Sequence, residues 1–541
     1  VAASSRGAAW PPDLFSNFRV VDTADDRWEA RLRALIKPPG WGATGPAIAD
    51  DGDNSVPLYA ILNDVRRAGC RTIVVEADYV DTNYADEHQA YYARLFRNIP
   101  NKCHRLHFFR TALKHSDLPR IQEFGEDYLG NAVVRPIETQ RVGPTVLMPT
   151  SGNPGGGESC VAARARFTAH IGGAALPVVA MPFVQQDKNV SVCAQAALWM
   201  TATHLHEHPS FRIQRCRPST INALATRHIP LGTLREGLHP MQVQQALQGM
   251  GVEALRYVIG EGSVAEGRGS YVDDLRVLSS YVLSGIPVIL CINVPKRGGH
   301  AVTVIGHDFD FRSGAGATAS VLPWITGLIV HDDARGPYSR LPIQAKAKEQ
   351  RFEGYARAFI VPIPQRVTLR AENVLMHATT LVHGKIINEL LEAVMPSGEL
   401  ERASFPSADL RKVVLCPFLI ESNEFKRALL QPGMNEGLAL TYRSMPMPKH
   451  VWVVELTTAA LLRGSSPGNR RVIGEIVFDS TADWRANSRS FLAFHLLGRM
   501  LTRSPERCLP DGFFQTVDDE EPYPSILWRR LATTTSRAPH Q

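Results

Sequence analysis

The sequence predicts an α+β protein in three parts, with the chemistry-bearing residues in the middle one. Length comes first: 541 residues, at roughly one to two hundred per domain, make about three domains. Next, composition breaks twice, at the small-residue stretch Ser151 to Ser159 (SGNPGGGES) and after Pro362 and Pro364. Glycine and small polar residues neither hold a helix nor pack a strand, so the first break reads as a linker. Third, apolar residues in each part alternate in some runs and follow helical spacing in others. The division expected is an N-terminal mixed α/β module over 1–150, a linker over 151–160, a central module over 161–365 and a C-terminal α+β module over 366–541.

Composition narrows the function classes. Hydrophobic residues make up 44% and charged residues 21%, which excludes a disordered or fibrous chain. The net charge of +6 is small for this length, and Lys and Arg are scattered among Asp and Glu. No nucleic-acid partner is expected. The longest weakly charged runs, Ile171 to Val184 and Ala317 to Val330, contain proline and fall short of the roughly twenty apolar residues of a membrane span. No basic start followed by an apolar run marks a secretory signal. The eight cysteines form no C-x-x-C pair, which fits free thiols in a reducing cytoplasm.

In chain order, Val1 to Asp53 reads as an irregular start with a helix around Asp26 to Leu35. A helix through Leu58 to Ala68, a strand Thr72 to Glu76, a helix through Glu87 to Arg97 and strands Arg105 to Phe109, Ala132 to Pro136 and Thr145 to Met148 complete the first module. Its acidic run (Glu76, Asp78, Asp81, Asp86) reads as a solvated loop rather than a binding loop. Two short strands, Arg164 to Ile171 and Leu176 to Phe183, open the central module. A capped helix within Arg235 to Gly251, a helix Asp273 to Leu283 and strands at Ile286 to Asn293, from His300, and at Leu328 to His331 follow. The C-terminal module reads as a long helix within Leu369 to Met395, strands near Val413 to Ile420, Val451 to Leu456 and Val472 to Phe478, and a helix through Ser490 to Met500. Glu455 and Glu475 on facing strands suggest acid/base chemistry only as far as any alternating pattern does.

The stretch that organises the rest is Pro182 to Met200. A short apolar strand ends at Gln185 and Gln186, a polar turn follows, and Cys193 stands at the mouth of an Ala-rich helix. Unpaired N–H groups at a helix N-terminus favour negative charge, so a cysteine there is biased toward the nucleophilic thiolate. An amide side chain shortly before it can donate to an oxyanion. Downstream, two strands deliver His300 and Asp332 to their ends, with Asp333 adjacent. The ordinary reading of a lone cysteine before an apolar helix is a buried small hydrophobe; here the combination argues otherwise.

The segment from about Phe183 to Pro364 resembles papain-fold cysteine peptidases, and most closely the branch that processes bacteriocin leader peptides. The resemblance rests on QQDKNVSVCAQAALWM, GGHAVTVIGHD and VHDDARG in that order, with GLHPMQVQQALQGMG and SGIPVILCIN between them. It covers about a third of the chain. It implies a helix carrying the Cys packed on an antiparallel sheet carrying the His and Asp. It also implies Cys193 as nucleophile, His300 as base and then acid, Asp332 as the group orienting His300, and Gln186 as oxyanion donor. Ala194 stands where relatives often have Gly or Trp, Gln185 rivals Gln186, and Asp333 competes with Asp332.

The expected activity is therefore that of a bacterial-type, cytoplasmic cysteine hydrolase, a peptidase or isopeptidase acting on a peptide or protein. Acyl transfer on the same residues and a non-catalytic protein-binding scaffold are the alternatives, and the flanking modules are where a protein partner would bind. No cofactor is expected. His204, His206 and His208 suggest a metal site at first sight, but only His204 and His208 share a helix face and Pro209 follows at once. His307 reads as structural. Glu261 to Gly269 lacks the Lys-Ser or Lys-Thr helix of a phosphate cradle.

Overall fold

A computed structural model describes residues 15–37, 56–96, 98–137, 139–149, 157–187, 193–211, 213–227, 238–260, 270–295, 298–312, 320–383, 413–463, 466–483, 490–496, 499–502, 514–516 and 522–532. Three antiparallel sheets carry the fold. The first is built by β1 (Phe18–Asp22), β2 (Thr72–Tyr79), β3 (Cys103–Phe109), β4 (Tyr128–Val134) and β5 (Val142–Leu147). Its helices are α1 (Trp28–Leu35), α2 (Val56–Arg67) and α3 (Thr82–Ala90). In α2, Leu58, Ile61, Leu62 and Val65 recur at helical spacing and are buried, which fixes the face laid on the sheet.

Apart from Asp78, which is exposed, the acidic run is not a solvated loop. Asp81 is buried and caps α3, accepting from the N–H groups of Asn83 and Tyr84 at 3.1 and 2.9 Å. Glu76 accepts from Arg105, and Asp86 takes the N–H and hydroxyl of Ser219 at 2.8 and 2.9 Å. The expected helix over Glu87 to Arg97 accordingly starts earlier, behind this cap, and ends at Ala90.

The division at 151–160 is less clean than composition suggests. β6 (Glu158–Val161) lies within the expected linker and pairs with the central sheet. The hairpin of β7 (Ala165–Ile171) and β8 (Ala174–Ala180) packs its Ala169, Ile171, Leu176 and Val178 with Phe18, Val74 and Phe109 of the N-terminal module. β9 (Pro182–Phe183) adds to the first sheet beside β5. Hydrophobic contact, not sequence order, decides where these strands belong. Residues 151–156 and 188–192 lie outside the described residues.

Helix α4 (Cys193–Glu207) follows, with α5 (Pro218–Thr226) and α6 (Pro240–Gly249) beside it. Then come β10 (Glu253–Val258), α7 (Tyr271–Leu283), β11 (Val288–Val294), β12 (Gly298–Phe309), β13 (Ile325–Asp332), β14 (Gly336–Pro342), the short α8 (Phe352–Tyr355) and β15 (Ala356–Ile363). The central sheet runs β10-β15-β11-β12-β13-β14, with β6 on β12. Gly306 admits β6, since a Cβ there would stand 2.1 Å from the Cys160 carbonyl oxygen. Both faces of this sheet are buried. Ile289, Ile305, Ile329 and Ile360 join the core shared with α4 and the first sheet. Leu290, Val304, Val330 and Phe359 join the core shared with α7 and the C-terminal strands. Near-continuous apolar strands such as VILCINV follow from that double burial. All residues of α4 from Ala194 to Leu205 are buried.

The third sheet begins after α9 (Ala371–His383) and runs β16 (Val414–Glu421), β17 (His450–Thr457), β19 (Gly474–Asp479), β20 (Phe491–Leu496), β21 (Arg499–Thr502), β22 (Phe514–Thr516). A minor pair joins β18 (Arg471–Val472) to β23 (Tyr523–Pro524). The helix expected over Ser490 to Met500 is instead the β20–β21 hairpin. Its aromatic residues take sheet partners, Phe494 opposite Ile476 and Phe491 opposite Phe478, while Ala493, Leu496 and Met500 are buried; sheet packing overrides a spacing that also suits a helix. The long helix expected up to Met395 is described as far as His383. No helix among the described residues is long and apolar enough to cross a membrane.

Candidate active site

Helix α4 begins at Cys193, leaving the thiol half-buried at the helix mouth. His300 is the third residue of β12, held opposite Ile292 of β11. Asp332 ends β13, where the chain turns into β14. These elements bring the three side chains together. His300 Nε2 donates to Asp332 Oδ1 at 2.9 Å, and the Cys193 thiol hydrogen-bonds the same imidazole. With Nε2 engaged, Nδ1 is the nitrogen left for sulfur. Asp332 Oδ1 also accepts from the Ala334 N–H at 3.0 Å, which fixes the carboxylate in its turn. Asp333 Oδ1 stands farther from Nε2, at 3.8 Å, so Asp332 is the hydrogen-bonded partner.

The electrostatics follow from this geometry. Burial alone would push the His300 imidazole down. The Asp332 hydrogen bond, the Cys193 thiol and the charges of Asp332 and Asp333 outweigh it and raise the group to about 11. Burial likewise acts to raise Asp332, and the His300 hydrogen bond and charge reverse that, holding its carboxyl below the ordinary range. The other described cysteines are all shifted the opposite way from a reactive thiol. Burial pushes Cys70 up to about 11 and Cys160 and Cys291 up to about 12, and raises Cys103, Cys216 and Cys416. Cys508 lies outside the described residues. Cys291, on β11, is close enough to Cys193 for the two sulfurs to interact electrostatically, a neighbour that the sequence pattern did not single out.

Gln185 and Gln186 differ. Gln185 is buried and turned to the first sheet: its Oε1 accepts from the Val142 N–H at 3.1 Å and its carbonyl from Arg135 at 2.9 Å. Asp187 also turns that way and accepts from the Tyr92 hydroxyl. Gln186, between them, is half-buried.

The first module holds the site's framework. His331 Nδ1 donates to the Pro182 carbonyl at 3.1 Å, tying β13 to the strand that leads to Cys193. Tyr338 on β14 donates to the Leu147 carbonyl at 2.6 Å. His331 stands inside VHDDARG, but neither its bond nor that of Tyr338 is legible there, because each is made to a backbone carbonyl that only folding brings near. His307 is buried and bonded to Ser279 at 3.1 Å, a structural role as its sequence reading has it.

His300, Asp332 and Asp333 are also the place among the described residues where three potential metal ligands gather, within 4.8 Å. The imidazole nitrogen a metal would need there is engaged by Asp332. His204, His206 and His208 make no such group. The helix end that carries them is partly covered by the C-terminal module, with His206 left exposed. His204 is fully buried, His208 is pushed by burial down to about 4, and Ser210 bonds Glu421 at 3.0 Å. His206 turns away to the Ile213 carbonyl. No protein-family model and no curated protein matches this chain.

Proposed function

We propose that the chain is a cysteine hydrolase with a papain-like central domain, cleaving a peptide or protein substrate through a thioester. The observation that carries the reading is one imidazole bonded on one side to the Cys193 thiol and on the other to the Asp332 carboxylate. In that arrangement the Cys193 sulfur attacks the acyl carbon and the carbonyl electron pair moves to oxygen. The His300 imidazolium gives its proton to the leaving amine as the C–N bond breaks. Neutral His300 then takes a proton from water, the hydroxide carbon–oxygen bond forms, and the thioester C–S bond breaks to regenerate the Cys193 thiolate beside the His300 imidazolium. Asp332 keeps the imidazole in one orientation throughout. Gln186 is the oxyanion donor in this reading, supported by its flanking residues both being committed to the first module.

Labelling of the native protein with a thiol-directed electrophile near pH 7, read at each cysteine by mass spectrometry, tests this. Cys193 is expected to react first, and His300→Ala to slow it by about tenfold or more. Reaction no faster than at Cys216, or no effect of the variant, would sink the reading.

A further inference from the structure

A second thiol stands beside the first, on β11. Side chains alternate along a strand, so Ile289, Cys291 and Asn293 share the side that faces α4. Ile289 is fully buried, Cys291 half-buried and Asn293 exposed. The facing residues of β12 repeat this gradient, with Ala301 buried opposite Cys291 and Gly299 exposed opposite Asn293. The cover over this face of the sheet therefore ends at Cys291, in a strand whose preceding residues, Val288 to Leu290, are all fully buried. His300 lies between Ala301 and Gly299, so the edge at which Cys291 meets solvent is the edge that carries the imidazole. Directly opposed strand residues stand about 5 Å apart, which puts the Cys291 backbone about 6 Å from that of His300. Cys193, hydrogen-bonded to that imidazole, packs against the same core as Cys291, and the two sulfurs lie close enough to interact electrostatically.

The two thiols differ in chemistry. Cys193 shares its proton with His300 and supplies the nucleophilic thiolate. Cys291, pushed by burial up to about 12, stays protonated and is a poor first target for an oxidant. Cys70, Cys103, Cys160 and Cys416 are buried, and Cys216, ahead of α5, turns its thiol to the Gln214 carbonyl at 3.5 Å. Among the described cysteines, Cys291 is the one placed to meet Cys193.

We propose that Cys193 and Cys291 form a reversible disulfide when hydrogen peroxide enters the site, with Cys291 as the thiol that captures oxidised Cys193. The Cys193 sulfur attacks one peroxide oxygen and the O–O bond breaks. Sulfur gives up two electrons and becomes the sulfenic acid, while the other oxygen leaves as water with the imidazolium proton. Neutral His300 then takes the Cys291 proton, the Cys291 sulfur attacks the sulfenic sulfur, and the S–S bond forms as the S–O bond breaks. The departing hydroxide takes that proton from His300 and leaves as water. A disulfide needs Cα atoms about 4.4–6.8 Å apart, and Cys193 stands at a helix terminus, where the chain frays and shifts most readily. The bond withholds the nucleophile and spares it the irreversible sulfinic and sulfonic acids. That it silences an enzyme rests on the hydrolase reading; the bond itself does not.

The test treats the full chain with excess hydrogen peroxide near pH 7 and maps its cysteines by mass spectrometry. Cys193 is labelled with iodoacetamide before oxidation, and in a second sample after oxidation and dithiothreitol. A peptide pair joining Cys193 to Cys291 is expected, with roughly four fifths or more of the Cys193 labelling recovered by the reductant. Cys291→Ser, with Cys291→Ala alongside in case serine disturbs the strand, is expected to be alkylated at Cys193 as fast as the parent before oxidation. After oxidation the variants are expected to recover less than about a fifth, the rest being sulfinic and sulfonic acid. Equal recovery in parent and variants, or a cross-link from Cys193 to Cys216 instead, would overturn the proposal. A Cys193 that is rapidly alkylated but never joined to Cys291 overturns it and leaves the hydrolase reading standing. A Cys193–Cys291 disulfide on a Cys193 no more readily alkylated than Cys216 counts against the hydrolase reading alone.

Discussion

At the scale of the residue, His300 decides the electrostatics. Its folded-state value, about 11, lies above the ordinary 6.5, so the pairing contributes stability that is fully present below about pH 6.5 and is lost as pH rises through about 11. The imidazolium that protonates the leaving group is thus the resting form at neutral pH. Asp332, at 2.9 Å, supplies most of this and Asp333, at 3.8 Å, less. Asp332→Asn is accordingly expected to slow Cys193 alkylation at pH 7 by roughly tenfold or more and Asp333→Asn by less than about threefold. Equal effects of the two would show that the carboxylates share the role. Cys193 and His300 were legible from sequence because a thiol before an Ala-rich helix and a Gly-Gly-His strand opening are chemically unusual. The choice between Gln185 and Gln186 was not, since adjacent amides differ only in which side of the chain each faces.

At the scale of the element, the turn from β13 into β14 is the delicate part. Gly336 has φ +120°, and a Cβ there would come within 2.8 Å of the Ala60 Cβ on α2. Tyr338, two residues on, is itself in the left-handed region at φ +52° and is anchored to Leu147. This turn must hold a strained backbone against the first module while carrying Asp332. Gly336→Ala is expected to cost about 1–3 kcal/mol in unfolding free energy, and to reduce Cys193 labelling as Asp332 is displaced. Denaturant titration and labelling on the same sample check it, and a variant unchanged in both would remove the turn from the account. Strand positions such as Thr72 and Val451 were readable from their β-branched runs. The β20–β21 hairpin was not, because its partners on β19 lie at a distance no local window sees.

At the scale of the whole molecule, the three parts share two continuous cores on either side of the central sheet. Double burial strands several histidines in the interior. Burial pushes His307 and His331 down to about 3. Groups depressed in the folded state bind fewer protons than in the unfolded one, so stability is intact above about pH 6.5 and falls as pH drops toward about 3. Each is expected to cost roughly 2 kcal/mol at pH 5, from one and a half units at about 1.4 kcal/mol per unit. Unfolding midpoints at pH 7 and pH 5 measure this, with His307→Leu expected to lose about 2 kcal/mol less than the parent over that interval. An equal acid loss in both would place the acid sensitivity elsewhere.

The sequence by itself determined the α+β character, most strands, the helix that begins at Cys193 and the order of the candidate thiol, imidazole and carboxylate. Those rest on local periodicity and on residue types whose chemistry is rare. Only the tertiary structure decided that Asp332 rather than Asp333 bonds His300, that Gln185 is spent on the first sheet, and that residues 165–183 belong with the N-terminal module. Each of these is settled by a contact between segments far apart in the chain, and the free energy of such a contact depends on where folding brings its partners, which no local pattern records.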